Sequence, residues 1–423
     1  MTSSPPGRGR PLPLEGEAGG AEVECDPERA AQPARGRDVP ILVVAGEASG
    51  DMHAARLLAE LRRLRPDLRP FGMAGEECAR AGVELLAESR EVAVVGITEV
   101  LRVLPRAREV FELLVAETER RRPAVAVLVD FPEFNLRLAK RLRRLGVRIA
   151  YYVSPQVWAW RRGRVRMISR CVDRMLVLFP FEAEFYAAHG VHVEHVGHPL
   201  VDEVPELPQA WDAPRAEDGP RRLVLLPGSR RSEVEKILPV MLASAAEIAR
   251  RVPLCVTLVR AQTVDRELVD SQLAAHAPAL AALRVEVVES DQRFCVVASS
   301  HLALCASGTA TLEVALLRTP MLVLYRLHRG SYWLGRLLVR LPWFSLVNLV
   351  MQRAVVPELL QGDANPERVA AESLRLLTDA RARNRMREAL ADVRGRLGAS
   401  GASMRAAAAV AELLAGAPAE DAA

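Results

Sequence analysis

From Pro40 onward, short β-branched runs alternate with amphipathic stretches, the pattern of βαβ units around a parallel sheet. The first run, ILVVA at 41–45, leads through the loop GEASGD into the amphipathic stretch HAARLLAELRRL. Runs of the same kind follow at 124–131 (AVAVLVDF), 147–153 (VRIAYYV) and 175–179 (MLVLF), and together they predict one Rossmann-like half. Prolines at 199, 205, 208, 214 and 220 then interrupt any regular element, as a linker would. A second series starts at RRLVLLPGSR and continues at 254–261, 283–290, 300–307 and 319–326. The expected organisation is an extension at 1–38, a first Rossmann-like domain at 39–200, a linker at 201–220, a second such domain at 221–370 and a helical tail at 371–423. The fold class is therefore α/β, with two parallel sheets facing a central cleft.

Composition narrows the picture only a little. A length of 423 residues suits two domains, and 57 basic against 53 acidic side chains leave a formal charge of +4. The cations are nearly all arginine, Lys140 and Lys236 being the only lysines, so bulk charge does not itself signal nucleic acid. Six scattered cysteines form no C-x-x-C pair or zinc-spaced cluster, which predicts reduced thiols in a cytoplasmic protein without a metal or other cofactor. No apolar run reaches the roughly eighteen residues that span a bilayer. Residues 1–38 are rich in Pro, Gly, Arg and Glu and read as a disordered extension.

Chemistry is expected where strand ends feed helix starts. The loop Gly46-Glu47-Ala48-Ser49-Gly50-Asp51 lacks both dinucleotide and P-loop spacing, and reads equally as a ligand loop or as a tight turn with Asp51 capping a helix. In Pro227-Gly228-Ser229-Arg230-Arg231-Ser232, a phosphate would meet free N–H groups and a guanidinium together; the plainer reading is Ser232 as a cap and Arg230 in solvent. Ser307-Gly308-Thr309 offers a second anion-ready turn. Glu313, one helical turn on, is able to bind two neighbouring sugar hydroxyls or to lie on a solvated face. Two such turns in one half suggest a nucleoside diphosphate. Across the linker, Asp130 ends a strand before Phe131-Pro132, a place for a general base or for a helix cap.

Two further stretches are unusual. Residues 137–174 carry twelve basic side chains against Asp173 alone, and the loop 154–162 holds Trp158 and Trp160 among arginines. Between Glu313 and Glu358 no acid occurs, and Arg329, Trp333, Arg336 and Arg340 form one stripe on an otherwise apolar helical wheel. Tyr332, Trp333, Leu337, Leu338, Leu341, Trp343 and Phe344 are accordingly candidates for contact with an anionic bilayer, the alternative being a core helix with one exposed seam.

The ordered motifs GEASGD, VVGITEVL, VDFPEFN, YYVSPQVWAWRRGRV, LFPFE, VGHPLVD, LLPGSRRSEV, ASGTATLE and SLVNL…VPELLQ resemble the lipid-A-disaccharide synthases, from about residue 40 to residue 370. The resemblance implies a two-Rossmann (GT-B type) glycosyltransferase joining UDP-2,3-diacylglucosamine to 2,3-diacylglucosamine 1-phosphate at the cytoplasmic face of the inner membrane. It implies Asp130 as general base, Arg230 at the diphosphate and Asn348 near the donor. Glu47, Ser49, Gly50 and Asp51 become first-loop substrate contacts; Gly228, Ser229, Ser307, Gly308 and Thr309 join the nucleotide-sugar site, with Glu313 on the ribose. Val347 replaces the family's usual proline, which would loosen the loop holding Asn348, and Gln352 replaces a usual small residue. A homodimer stays open, as do an epimerase or a transferase with a soluble acceptor on the same architecture. A non-enzymatic nucleic-acid binder using 137–174 leaves the motif order unexplained.

Overall fold

The computed structural model describes residues 38–92, 100–158, 162–206, 219–281, 283–326 and 342–416. In the first half the order is β1 (Val39–Ala45), α1 (Ala48–Leu64), β2 (Leu68–Ala74), α2 (Glu76–Arg80), β3 (Glu84–Glu88), α3 (Val100–Arg121), β4 (Val125–Val129), α4 (Pro132–Arg144), β5 (Arg148–Tyr152), α5 (Val165–Cys171), β6 (Arg174–Val177), α6 (Pro180–Ala187), β7 (Val193–His195) and α7 (Leu200–Glu203). The second half holds β8 (Arg221–Leu226), α8 (Arg231–Ala249), β9 (Leu254–Arg260), α9 (Arg266–His276), β10 (Val285–Glu289), α10 (Arg293–Ser299), β11 (Leu302–Ala306), α11 (Ala310–Leu316), β12 (Met321–Tyr325), α12 (Leu346–Met351) and β13 (Glu358–Leu360). Helices α13 (Pro366–Thr378), α14 (Ala380–Leu397) and α15 (Ala402–Ala415) follow among the described residues.

Both sheets are parallel, in the orders β3-β2-β1-β4-β5-β6-β7 and β10-β9-β8-β11-β12-β13. Their strands read as unbroken apolar runs because both faces are covered. Ile41 and Val43 face one core, while Leu42 and Val44 face the other with Phe71, Leu128 and Tyr151. The strand order reverses between β1 and β4 in the first sheet, and between β8 and β11 in the second. Loops leaving those strands diverge to opposite faces and open a crevice at the carboxyl edge, where ligands of such sheets bind. All four loops singled out above leave these four strands. β2 is hidden in the sequence by Pro70 and Gly72, which break its β-branched pattern although it lies between β1 and β3.

The C-terminal helices are divided between the halves. α13 packs on α8 and α14 on α11, but α15 returns to α1 and the first sheet. Hydrogen bonds tie this return to the connection after β7: His198 N–H donates to Leu397 O at 2.9 Å, and Gly401 N–H to the Asp202 side-chain Oδ1 at 2.8 Å. Arg405 Nε reaches Val196 O at 2.9 Å. No helix among the described residues is long and apolar enough to cross a membrane.

Candidate active site

At the end of β4 the backbone turns through two successive left-handed residues, Asp130 at φ +46° and Phe131 at φ +47°. Neither is glycine, so each conformation costs about 1–3 kcal/mol and persists only where neighbours enforce it. The enforcing bonds are visible. Asp130 N–H donates to Tyr152 O at 3.0 Å, while Asp130 O accepts from Tyr151 Oη at 2.6 Å and from Asn135 Nδ2 at 2.8 Å. Asn135 is fully buried on α4 and also reaches Val129 O at 3.2 Å. The Asp130 side chain is thereby aimed from a fixed turn. Burial, and then the nearby Glu47 carboxylate, push its pKa up to about 6.

Loop 46–50, at the end of neighbouring β1, closes over this turn. A β-carbon on Gly46 would lie 2.3 Å from the Phe131 ring, so only glycine lets that ring cross the loop. A methyl on Gly50 would lie 3.9 Å from the Asp130 Cβ, while Glu47 and Ser49 stand exposed beside it. Asp51 is different. It is buried, and its carboxylate accepts the N–H groups of Gly75 (2.8 Å), Glu77 (2.9 Å) and Cys78 (3.2 Å), so it caps α2 rather than its own helix.

The loop after β5 is bolted beside this edge by a residue the sequence reading left without a role. Glu182 on α6 is buried and accepts from Ser154 Oγ at 2.7 Å, Trp158 Nε1 at 3.1 Å and Phe179 N–H at 3.2 Å. Burial lifts its pKa to about 7 against those donors. Trp158 is buried against Phe181; Trp160 lies outside the described residues.

The equivalent edge of the second sheet carries a cleft of about 520 Å³, lined by Gly228, Ser229, Arg230, Ser307, Gly308, Thr309 and Glu313. Gly228 adopts φ +114°, and any side chain there would meet the Glu233 carboxylate at 2.5 Å. Glu233 fills that gap and accepts from Ser229 N–H at 3.3 Å, holding the loop open. α8 begins at Arg231, with Arg230 rather than Ser232 at the cap position. The Arg230 side chain is 71% exposed and 3.4 Å from Glu233, a cation standing largely in solvent beside the start of α8. Ser307 Oγ donates to Phe344 O at 3.2 Å, and Thr309 makes no side-chain cap, so no capping box forms at α11. Glu313 is mostly buried and paired with Arg293, its Oε2 3.2 Å from Nε. Burial raises its pKa and Arg293 opposes that rise.

Asn348 lies apart from open solvent. Its Oδ1 accepts from Val355 and Val356 N–H at 2.7 and 2.9 Å, and its Nδ2 donates to Val356 O at 2.9 Å and Glu358 Oε1 at 2.7 Å. Glu358, which lies in the motif VPELLQ but has no role assigned there, also accepts from Phe344 and Ser345 N–H, both at 2.9 Å. Asn348 thus knots the segment that receives Ser307. Val347 is buried in the core, and Gln352 ends α12 at φ +51°, a left-handed conformation that favours glycine. Of the seven bilayer candidates, Tyr332, Trp333, Leu337, Leu338 and Leu341 lie outside the described residues. Trp343 and Phe344 are half-buried, and Phe344 stacks on Tyr325 with ring centroids 5.9 Å apart.

The architecture recurs in solved structures of low sequence identity. A UDP-GlcNAc 2-epimerase from Neisseria meningitidis bound to UDP-GlcNAc is 12% identical, with a TM-score of 0.57 over 89% of this chain and 100% of that one. The calicheamicin glycosyltransferase CalG4 is 16% identical, with a TM-score of 0.55 over 90% of this chain and 99% of that one. Sequence relatives are more specific. Lipid-A-disaccharide synthase from Myxococcus xanthus is 49% identical over 380 residues, 88% of this chain and 97% of the relative. That from Anaeromyxobacter dehalogenans is 45% identical over 370 residues, 87% and 95% of the two chains. The family model for lipid-A-disaccharide synthetase matches residues 41–411, and the chain belongs to the lipid-A-disaccharide synthase family, the glycosyltransferases that form the lipid A disaccharide.

Proposed function

We propose that the enzyme transfers diacylglucosamine from UDP-2,3-diacylglucosamine to the 6-hydroxyl of 2,3-diacylglucosamine 1-phosphate, with inversion at the anomeric carbon and release of UDP. The observation that carries this reading is the Asp130 turn. A carboxylate fixed at the switch point of one sheet, with a pKa near 6, is matched to accept an alcohol proton near neutral pH. As the acceptor O6 bonds to the donor C1, the proton passes to Asp130 and the C1–O bond to the diphosphate breaks, its electron pair leaving with UDP. Arg230 and the amides around Ser307 and Gly308 meet the charge that develops on the leaving group, without need of a metal ion. Glu313 takes the ribose hydroxyls. Glu47, Ser49 and Gly50 contact the acceptor side, and Asp51 acts through the loop it anchors. Asn348 supports the donor site through the segment 344–358.

The domain limits proposed for these roles are 39–200 for the acceptor and 221–370 for the nucleotide sugar. Acylated substrates make a peripheral position on the cytoplasmic face of the inner membrane the natural working place, with Trp343, Phe344 and the preceding Arg/Trp/Leu stretch at the lipid surface. The decisive experiment incubates the protein with both acylated glucosamine substrates and follows the tetra-acyl disaccharide 1-phosphate by mass spectrometry. Hydrolysis or epimerisation of the donor with no disaccharide would overturn the assignment.

A further inference from the structure

The cleft of the second half contains an arginine outside every motif considered above. Arg293 opens α10; its Nε donates to Glu313 Oε2 at 3.2 Å, and its NH1 donates to Ser290 O at 2.9 Å. The guanidinium also lies 4.0 Å from the ring centroid of Phe294. An ion pair, a main-chain hydrogen bond and an aromatic face therefore fix one cation in three directions. Arg293 and Glu313 both line the cleft, alongside Ser307 and Thr309.

We propose that Arg293 is a positioning residue for nucleotide selection: it holds the Glu313 carboxylate ionised and oriented so that its oxygens recognise the adjacent 2′- and 3′-hydroxyls of a ribonucleotide. The inference rests on the nucleotide reading of this cleft and adds the device that makes the site a ribose reader. A vicinal diol presents two O–H donors, and an ionised carboxylate accepts both, whereas a protonated carboxyl gives up acceptor capacity and becomes a donor itself. Among the described residues Glu313 Oε1 receives no hydrogen bond, so one oxygen is open and the other is shared with the arginine. Burial works against ionisation, and Glu203 on α7 of the first half works in the same direction; Arg293 is the counterweight to both. Its Ser290 and Phe294 contacts keep it from swinging toward the diphosphate, where Arg230 already stands.

Calorimetric titration of the unaltered protein, R293Q and R293K with UDP and with 2′-deoxy-UDP, across about pH 6 to 8.5, tests the assignment. The unaltered protein is expected to prefer UDP by ~10-fold or more, because a site built for a hydroxyl rejects the analogue lacking it. R293Q should lose ~10- to 100-fold in UDP affinity and far less for the deoxy analogue, so that the ratio falls toward one. Its UDP affinity should also recover with rising pH, with a midpoint above that of the unaltered protein. R293K, which keeps the charge and loses the fork, should give an intermediate ratio. Equal weakening toward both ligands in R293Q, with ratio and pH midpoint unchanged, would show a purely structural arginine and overturn the proposal. If R293Q does not fold, R293K decides: an unchanged ratio overturns the proposal and an intermediate one upholds it. Failure of the unaltered protein to bind UDP would instead sink the nucleotide reading itself.

Discussion

The two sheets meet the same topological event, a reversal of strand order, and equip it in opposite ways. After β4 an acid is built into a strained turn, braced by Tyr151, Tyr152 and Asn135, and shielded enough to raise its pKa. After β8 and β11 the loops are open, and the principal cation, Arg230, stands largely in solvent. The difference follows from the task proposed for each edge. A general base must sit within hydrogen-bond reach of one proton and carry a matched pKa, so rigidity and desolvation serve it. A diphosphate brings its own charge, and an exposed guanidinium keeps its hydration until that charge arrives.

Breaking the rigid side should have the largest effect. D130N keeps the shape and tolerates the left-handed turn, yet removes the proton acceptor; UDP release is expected to fall by ~10³-fold with the fold intact. Because a general base must be ionised, the role proposed for Asp130 requires that release by the unaltered enzyme rise as pH climbs through about 6 and level off above it. A profile flat across that range would detach Asp130 from the chemistry. The exposed side comes next. R230A is expected to slow release by ~10²-fold through lost leaving-group stabilisation. Its thermal stability should barely move, since an exposed pair at 3.4 Å contributes little. A large loss of stability would mean that Arg230 holds the fold rather than the phosphate.

Much of this contrast is legible in the chain. Short apolar runs mark β1, β4, β5, β8 and β11, and the loops after β1, β4, β8 and β11 nominate Glu47, Asp130, Arg230 and Ser307 from sequence alone. What stays hidden depends on partners distant in sequence. Nothing near Asp51 signals that its carboxylate caps α2, 24–27 residues on. Arg293 and Glu313 are 20 apart, and Glu182 and Ser154 are 28 apart. Asn135 and Glu182 sit inside the motifs VDFPEFN and LFPFE, where local pattern gives them no task because their donors and acceptors belong to other loops.

Asn348 tests the boundary between the two kinds of site. If its amide is the knot described above, N348A strands the Val355 and Val356 N–H groups and the Val356 carbonyl, while Glu358 Oε1 keeps only the Ser345 N–H. The expected loss is roughly 3–6 kcal/mol of unfolding free energy, read by denaturant titration, with activity falling in step. A stable N348A with turnover lost would move Asn348 into direct contact with the donor.

The smallest effect should come from the bolt beside Asp130. Glu182 has a folded-state pKa near 7 against an ordinary 4.5, so between those values the native protein holds a proton that the unfolded chain releases. Stability therefore falls as pH rises through that window and is constant above it. An amide cannot ionise, so E182Q removes this slope while keeping an oxygen for Ser154 and Trp158. Near pH 5 the variant should be slightly weaker than the parent, since its amide N–H faces the Phe179 N–H. By pH 8 the difference should have moved in favour of the variant by ~2 kcal/mol, measured by unfolding at the two pH values. Parallel stability curves would mean that the three donors around Glu182 already offset its burial, and that the first sheet's edge is held by a charged acid instead of a protonated one.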